Sequence, residues 1–221
     1  MDKKSDNLQI VGNPPLPFLK GEYTKEPEFK LGEFNEQVVR TGVKFILQGL
    51  GLNLEDQNLV DTPARVSRGY REICRGLYDQ EKVLNSFQKA IFDSKNDEMV
   101  IMKGIQVFSL CPHHLLPVKI DATVAYIPKG KVVGLSKLAR IVEIVFAQPA
   151  LQEDATVMIA DILMDKLSAD GAGVYVVGEH MCMQCRGVKK TEAVTITSAV
   201  RGSFKDDAKT RDEFLSIVRG R

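Results

Sequence analysis

Histidine and cysteine are scarce in this chain, and almost all of them lie in two short segments. The 221 residues include three histidines and four cysteines, and all of these except Cys74 fall within residues 111–114 and 180–185. The first segment follows a predicted strand and the second lies at the end of another. A fold that joins both segments at one metal ion must therefore bring two distant strand ends together.

The first segment has the spacing of a zinc-type site. Cys111 and His114 are three residues apart, and Pro112 stiffens the turn between them. For this pair alone, a buried cysteine beside surface histidines is an equally good interpretation.

The second segment allows two different metal sites. With Cys182 and Cys185 both bound, the two segments would form a closed, four-ligand structural site. Side chains alternate along a strand, however, so His180 and Cys182 would share a face and Cys185 would point away. We therefore favour Cys111, His114 and Cys182 as three ligands with one position open to water, an arrangement typical of catalytic zinc. Cys185 is then a small buried thiol.

The two remaining histidines, His113 and His180, would lie beside this metal without binding it. An imidazole titrates near neutral pH and can carry protons to and from a substrate. The alternative is that one or both only hydrogen-bond a metal ligand. Two spare histidines at one metal favour a catalytic site.

The overall composition is that of a globular protein without a strong charge. Hydrophobic residues make up 44% of the chain and charged residues 27%, with 30 Lys and Arg against 29 Asp and Glu. The net charge of +1 does not favour indiscriminate nucleic-acid binding. No apolar run is long enough for a membrane helix, and the polar start does not resemble a signal peptide. We expect a cytoplasmic protein with no membrane or nucleic-acid partner, whose cysteines are thiols or metal ligands.

Hydrophobic periodicity predicts helices and strands in mixed order, which indicates an α+β fold. Residues 1–32 contain four prolines and no sustained periodicity, and we interpret them as a mobile tail. Asp61 is the expected cap of one helix and Ser136 of another. Helices are predicted at about 33–49, 61–76, 80–90, 136–146 and 151–168 and from about 206; strands at 99–110, 118–127, 174–182 and 193–200; and a break at 170–173.

Several cations are candidates for phosphate binding. A helix that begins at Ser136 would direct free N–H groups toward an anion, with Lys137 and Arg140 close by. Each cation taken singly is more typical of a solvated surface residue. Glu153, in the first turn of its helix, could accept two hydrogen bonds from a guanine or simply complement the helix dipole. No Walker or Rossmann glycine loop is present. The further cations are Arg65, Arg68 and Arg186.

Taken together, these segments resemble the GTP cyclohydrolase I family over residues 33–221. No single motif is specific to the family, but the number of motifs and their order along the chain are. The motifs are Thr62-Pro63-x-Arg65, Cys111-x-His113-His114, residues 122–128 (ATVAYIP), residues 134–142 (GLSKLARIV), Gln152-Glu153, His180-Met181-Cys182 with Arg186-Gly187, and Thr210-Arg211-x-Glu213-Phe214-Leu215.

The resemblance implies the tunnelling fold, an antiparallel sheet backed by helices, in a toroidal homodecamer with active sites between subunits. It implies a helical region at residues 33–95, a catalytic domain at 96–221, and zinc on Cys111, His114 and Cys182. The implied reaction converts GTP and water into formate and 7,8-dihydroneopterin triphosphate. His113, His180 and Ser136 would serve the chemistry. The substrate-binding residues would be Glu153, Gln152, Lys137, Arg140, Arg186, Arg65 and Arg68.

Two other functions are possible on the same residues. A non-catalytic, zinc-stabilised binding module would use Cys185 as a fourth ligand. A related tunnelling-fold enzyme acting on a deazapurine would use a nucleophilic cysteine, although the metal-type spacing of Cys111 and His114 disfavours it.

Overall fold

The structure, a computed structural model, describes residues 33–220, so the predicted tail at residues 1–32 lies outside the described residues. Helices and strands occur in mixed order along this range. In chain order they are α1 Glu36–Gly49, α2 Thr62–Ile73, α3 Gly76–Gln88, β1 Ile91–Asp93, β2 Val100–Leu110, β3 Pro117–Ile127, β4 Lys131–Val133, α4 Leu135–Phe146, α5 Gln152–Leu167, β5 Gly171–His180, α6 Met181–Gln184, β6 Thr195–Gly202, α7 Ser203–Asp206 and α8 Ala208–Arg219.

Four strands form one antiparallel sheet in the order β2-β3-β5-β6. β3 and β5 are the two central strands, and their register runs from Val118 opposite His180 to Ile127 opposite Gly171. The two short strands β1 and β4, which the sequence analysis did not predict, pair separately. The predicted α+β class with an antiparallel sheet is confirmed.

The two faces of the sheet bury different cores because side chains alternate along a strand. On β3, Ile120, Ala122 and Val124 belong to the larger core, which includes the buried faces of α4 and α5. Ala125 points the other way and contacts Phe204 and Phe214, whose rings pack edge to face at 5.4 Å. The second core lies toward the Ile127 end of β3, at the opposite end from Val118.

The predicted break at residues 170–173 is wrong, since β5 begins at Gly171. The glycines there make room for aromatic rings of the second core. A Cβ on Gly173 would lie 2.9 Å from Phe204 Cδ1 and 3.2 Å from Phe214 Cε1. Glycine, usually read as a breaker, is needed in this strand for close packing.

The predicted caps of two helices are also corrected. Asp61 makes no side-chain capping bond to α2 and instead forms an ion pair with Arg65 at 3.2 Å. The N-cap of α4 is Gly134, two residues before the predicted cap Ser136, which is the second helical residue. The chain leaves β4 at Val133, and the Gly134 N–H donates to the Ala90 carbonyl at 3.0 Å, which fixes this start.

The remaining elements occur in the predicted order, and their ends lie within a few residues of the predicted ones. The domain boundary near residue 95 stays a prediction. α3 starts at Gly76 rather than near 80, and the C-terminal helix is divided into α7 and α8, with Asp207 capping α8. None of the helices within residues 33–220 is both long enough and apolar enough to cross a membrane.

Gly76 allows α3 to pack directly on the end of α4. Its N–H donates to the Ala147 carbonyl at 2.7 Å. A methyl group there would overlap the Ile144 carbonyl oxygen and lie 2.7 Å from that of Ala147. We expect Gly76→Ala to lower the free energy of unfolding by about 1–3 kcal/mol, because backbone atoms cannot move aside cheaply.

Gly69→Ala is the matched control, since a Cβ at Gly69, inside α2, meets nothing within 4 Å. That change should raise the free energy of unfolding by about 0.5–1 kcal/mol. Urea unfolding at matched protein concentration measures both variants. Equal stabilities would contradict the packing argument.

Candidate metal centre and active site

The first half of the site is a tight loop between β2 and β3. The Cys111 N–H donates to the Leu116 carbonyl at 2.9 Å, and the Leu115 N–H donates to the Cys111 carbonyl at 2.8 Å. Leu115 has a φ of 54°, a left-handed conformation that costs a residue with a side chain roughly 1–2 kcal/mol. These hydrogen bonds hold the loop closed, with the Cys111 side chain buried and His113 and His114 exposed.

The second half of the site follows β5 and is helical. The prediction of a strand through residue 182 is wrong, because β5 ends at His180 and α6 begins at Met181. The alternation argument that placed His180 and Cys182 on one face therefore does not apply. The turn into α6 instead directs Cys182 toward the loop that carries Cys111.

The sulfur atoms of Cys111 and Cys182 and a ring nitrogen of His114 all lie within 4.8 Å of one another. The separation between Cys111 Sγ and His114 Nδ1 is 3.4 Å. Tetrahedral zinc, with Zn–S near 2.3 Å and Zn–N near 2.05 Å, places such a pair about 3.6 Å apart. Two thiols and one imidazole at this spacing fit a zinc ion.

The electrostatics of the group also favour a cation. Burial raises the pKa of the Cys182 thiol, and the neighbouring Cys111 sulfur raises that pKa further, while Arg186 lowers it. Two thiolates this close repel one another, and a bound cation removes that cost. Cys185 is exposed and lies outside the group, contrary to the buried position expected from sequence.

The two spare histidines occupy different positions. His113 Nδ1 lies 3.9 Å from Cys111 Sγ, and the His113 and His114 rings are 6.3 Å apart between centroids. His180 ends β5, where its Nε2 lies 2.9 Å from Oε1 of Gln152. Burial lowers the pKa of His180, and the charge of Glu153 partly opposes that shift. The lowered pKa favours the neutral form of the His180 ring, whose unprotonated nitrogen can accept a hydrogen bond.

The α5 N-terminus contributes two residues of opposite character. Gln152 is buried, with 3% of its surface exposed, and contacts His180, whereas Glu153 is exposed. The sequence analysis missed Thr197, whose hydroxyl accepts from the Gln152 side chain, and Thr156, whose hydroxyl donates to the Gln152 backbone carbonyl. Thr156 could have been found, because it lies one helical turn from Gln152 on the inner face of α5.

The predicted phosphate ligands are mostly exposed and lie on several elements. Lys137, in the first turn of α4, is half-buried and donates from Nζ to Ser86 Oγ on α3. Arg65, on α2, pairs with Asp61. A shared phosphate site for these cations stays a prediction. The exposed cations of this set are Arg65, Arg68, Arg140 and Arg186, and Ser136 is exposed as well.

The three-residue group makes a direct prediction about metal binding. We expect metal-free protein to bind one Co²⁺ per chain with sulfur-to-cobalt charge-transfer absorption, because two of the three ligands are cysteines. Cys182→Ser should weaken both the affinity and that absorption. Titration followed by ultraviolet and visible spectra measures both.

Cys185→Ser is the matched control, since it makes the same substitution three residues away. It should leave the cobalt spectrum unchanged. Loss of sulfur absorption in the Cys185 variant would instead support a four-ligand site.

Comparisons with known proteins agree with these features. A sequence model described as GTP cyclohydrolase I matches residues 39–219. GTP cyclohydrolase 1 of Pelotomaculum thermopropionicum is 49% identical over 188 residues, which cover 85% of this chain and 98% of that protein. The Streptomyces coelicolor protein of the same name is 46% identical and covers 90% of this chain and 98% of its own length.

A third relative, GTP cyclohydrolase 1 of Bacillus pumilus, is 45% identical over 190 residues, which cover 86% of this chain and 99% of that protein. Among solved structures, the archaeosine synthase QueF-Like in the apo form aligns with a TM-score of 0.40 at 18% identity, over 49% of this chain and 97% of that one. The family match and the three named relatives extend over most of the chain, and the chain therefore belongs to the GTP cyclohydrolase I family.

Proposed function

We propose that this chain hydrolyses GTP to formate and 7,8-dihydroneopterin triphosphate, the first step of pterin and folate biosynthesis. The observation that carries the proposal is the Cys111, His114 and Cys182 group, with His113 in contact with Cys111 and His180 two residues before Cys182. This arrangement occurs in a chain that matches the family model over residues 39–219. A three-ligand site leaves room for a reactant, as catalytic metal sites do.

We propose zinc as the metal, held by Cys111, His114 and Cys182. Its donor set and spacing fit that ion better than the oxygen-binding cations calcium and magnesium. When bound, zinc supplies Lewis-acid chemistry that activates water at neutral pH for attack on an electrophilic carbon.

Proton transfer is the task we assign to the two spare histidines. Hydrolysis at C8 of the purine breaks a carbon–nitrogen bond of the five-membered ring, and the departing nitrogen needs a proton. His113 is the proposed donor of that proton, because a neutral nitrogen leaves more readily than an anion. A second hydrolysis releases C8 as formate. His180 and Ser136 are proposed to move protons while the ribose opens and the new ring closes.

Substrate binding is assigned to charged groups around the site. Glu153, exposed in the first turn of α5, is the proposed acceptor for the paired N–H donors of guanine. Lys137 and the N-terminus of α4 are proposed to bind phosphate oxygens. The remaining proposed phosphate ligands are Arg65, Arg68, Arg140 and Arg186.

We further propose a homodecamer with active sites between subunits. The outer strands β2 and β6 of the four-stranded sheet each expose a large apolar side chain, Phe108 at 61% and Ile196 at 55%. Unpaired strand edges with apolar side chains favour pairing with another chain. Neighbouring subunits could then supply part of the phosphate site. A cytoplasmic location fits cysteines that must stay reduced to bind a metal.

The activity is tested by incubating zinc-loaded protein with GTP and measuring formate and pterin absorbance. His113→Ala should lower kcat by about 100- to 10,000-fold, because it removes a proton donor. Its zinc content should stay at one per chain. Cys185→Ser, which changes an exposed thiol outside the group, should keep full turnover. Zinc-loaded wild-type protein that leaves GTP unchanged would refute the proposed activity.

Light scattering tests the assembly. We expect a particle ten times the chain mass of 24.6 kDa. The mass of a single chain or a dimer, at concentrations where GTP is turned over, would exclude the decamer.

A further inference from the structure

The side-chain amide of Gln152 is held in one orientation by three oxygen acceptors. Its Nε2 lies 3.0 Å from the Thr195 carbonyl, 3.3 Å from the Val176 carbonyl and 3.1 Å from Thr197 Oγ1. Carbonyl oxygens can only accept hydrogen bonds, so the group that faces them must be the NH₂ rather than the oxygen.

The third acceptor is fixed by a chain of hydroxyl groups. Thr156 Oγ1 donates to the Gln152 carbonyl at 2.6 Å, so its proton is used. In the 2.7 Å contact between Thr156 and Thr197, Thr197 must therefore donate. That leaves Thr197 Oγ1 with only lone pairs toward Gln152. In a reversed amide, Oε1 would face three oxygens, none of which has a proton to donate to it.

The opposite end of the amide consequently determines the state of His180. Oε1 of Gln152 faces His180 Nε2 at 2.9 Å and can only accept. Nε2 must therefore carry a proton, and in the neutral ring the lone pair is on Nδ1. Gln152 is almost fully buried, with both N–H groups and its oxygen engaged inside the protein.

We propose that Gln152 is a positioning residue that holds His180 in the Nε2–H tautomer and leaves the Nδ1 lone pair as the acceptor that faces the chemistry of the site. The catalytic part of this inference rests on the proposed function. With Nε2–H bonded to Gln152, the lone pair on Nδ1 is the only acceptor that the neutral ring offers to a substrate. The family resemblance implied instead that Gln152 contacts the substrate.

Gly178 supports this assignment independently, because it provides the space for the contact. A Cβ at Gly178 would overlap Oε1 of Gln152 and lie 2.9 Å from its Cδ and 3.2 Å from His180 Nε2. Gly178 is not among the glycines with positive φ, so its backbone conformation does not require glycine. It lies two residues before His180, on the same face of β5.

Steady-state kinetics distinguish positioning from substrate contact. We expect Gln152→Met and Gly178→Ala each to lower kcat by about 10- to 100-fold, as loss of an orienting hydrogen bond does, with KM for GTP within about twofold. Thr197→Ser, which keeps the hydroxyl, should stay near wild-type turnover. A rise in KM with kcat retained would show that Gln152 binds substrate and would overturn the proposal.

A double variant separates packing from orientation. Gln152→Ala combined with Gly178→Ala removes the overlap, because the shorter side chain leaves room for the new methyl group. We expect the double variant to recover thermal stability relative to Gly178→Ala while kcat stays low. Recovery of kcat together with stability would mean that only packing matters.

The tautomer can also be measured without turnover. The chain has three histidines, so solid-state NMR of wild-type protein labelled with [¹⁵N]histidine gives few signals, and His180→Ala identifies those of His180. At alkaline pH we expect a protonated Nε2 and an unprotonated Nδ1. The opposite tautomer in wild-type protein contradicts the proposal. If wild-type protein fails to turn over GTP, the proposed function fails, and this spectrum still decides the tautomer.

Discussion

The antiparallel pairing of β3 with β5 is the constraint on which the site depends. It places Val118, just after the loop that carries Cys111 and His114, opposite His180 at the end of β5. Two segments that are far apart in sequence thereby meet at one end of the sheet. Antiparallel hydrogen bonds fix this register, and a slip of one residue would turn His180 to the other face.

The larger elements could be predicted from sequence because each has a strong local signal. β2 and β3 are rich in apolar and β-branched residues, and α4 has a clear apolar face. The group of Cys111, His114 and Cys182 was also predicted, although the strand argument used for Cys182 was wrong. Scarcity of histidine and cysteine limited the number of candidate ligand sets, and the family resemblance implied the same three residues.

The details that failed depend on tertiary contacts that a local pattern does not contain. Gly171 and Gly173 read as a break, yet they are strand residues beside Phe204. Ser136 is a good capping residue, but the contact between Gly134 and Ala90 starts the helix earlier. The role of Gln152 requires knowing that β5 and β6 supply acceptors on one side of its amide and His180 on the other. Such neighbours decide where a helix or strand starts and which way a single side chain points, whereas periodicity decides whether the element is a helix or a strand.

β5, with ten residues from Gly171 to His180, extends from one end of the sheet to the other. Near its first residues, aromatic rings of α7 and α8 fill the gaps left by glycine, and its last residue is His180. Inserting or deleting one residue between Gly173 and Gly178 would move Gly178 away from Gln152 while the aromatic contacts held the other end in place. Point substitutions can be absorbed by local repacking, but a change in the number of residues cannot. Among relatives that keep this site, we expect β5 to vary in composition and never in length.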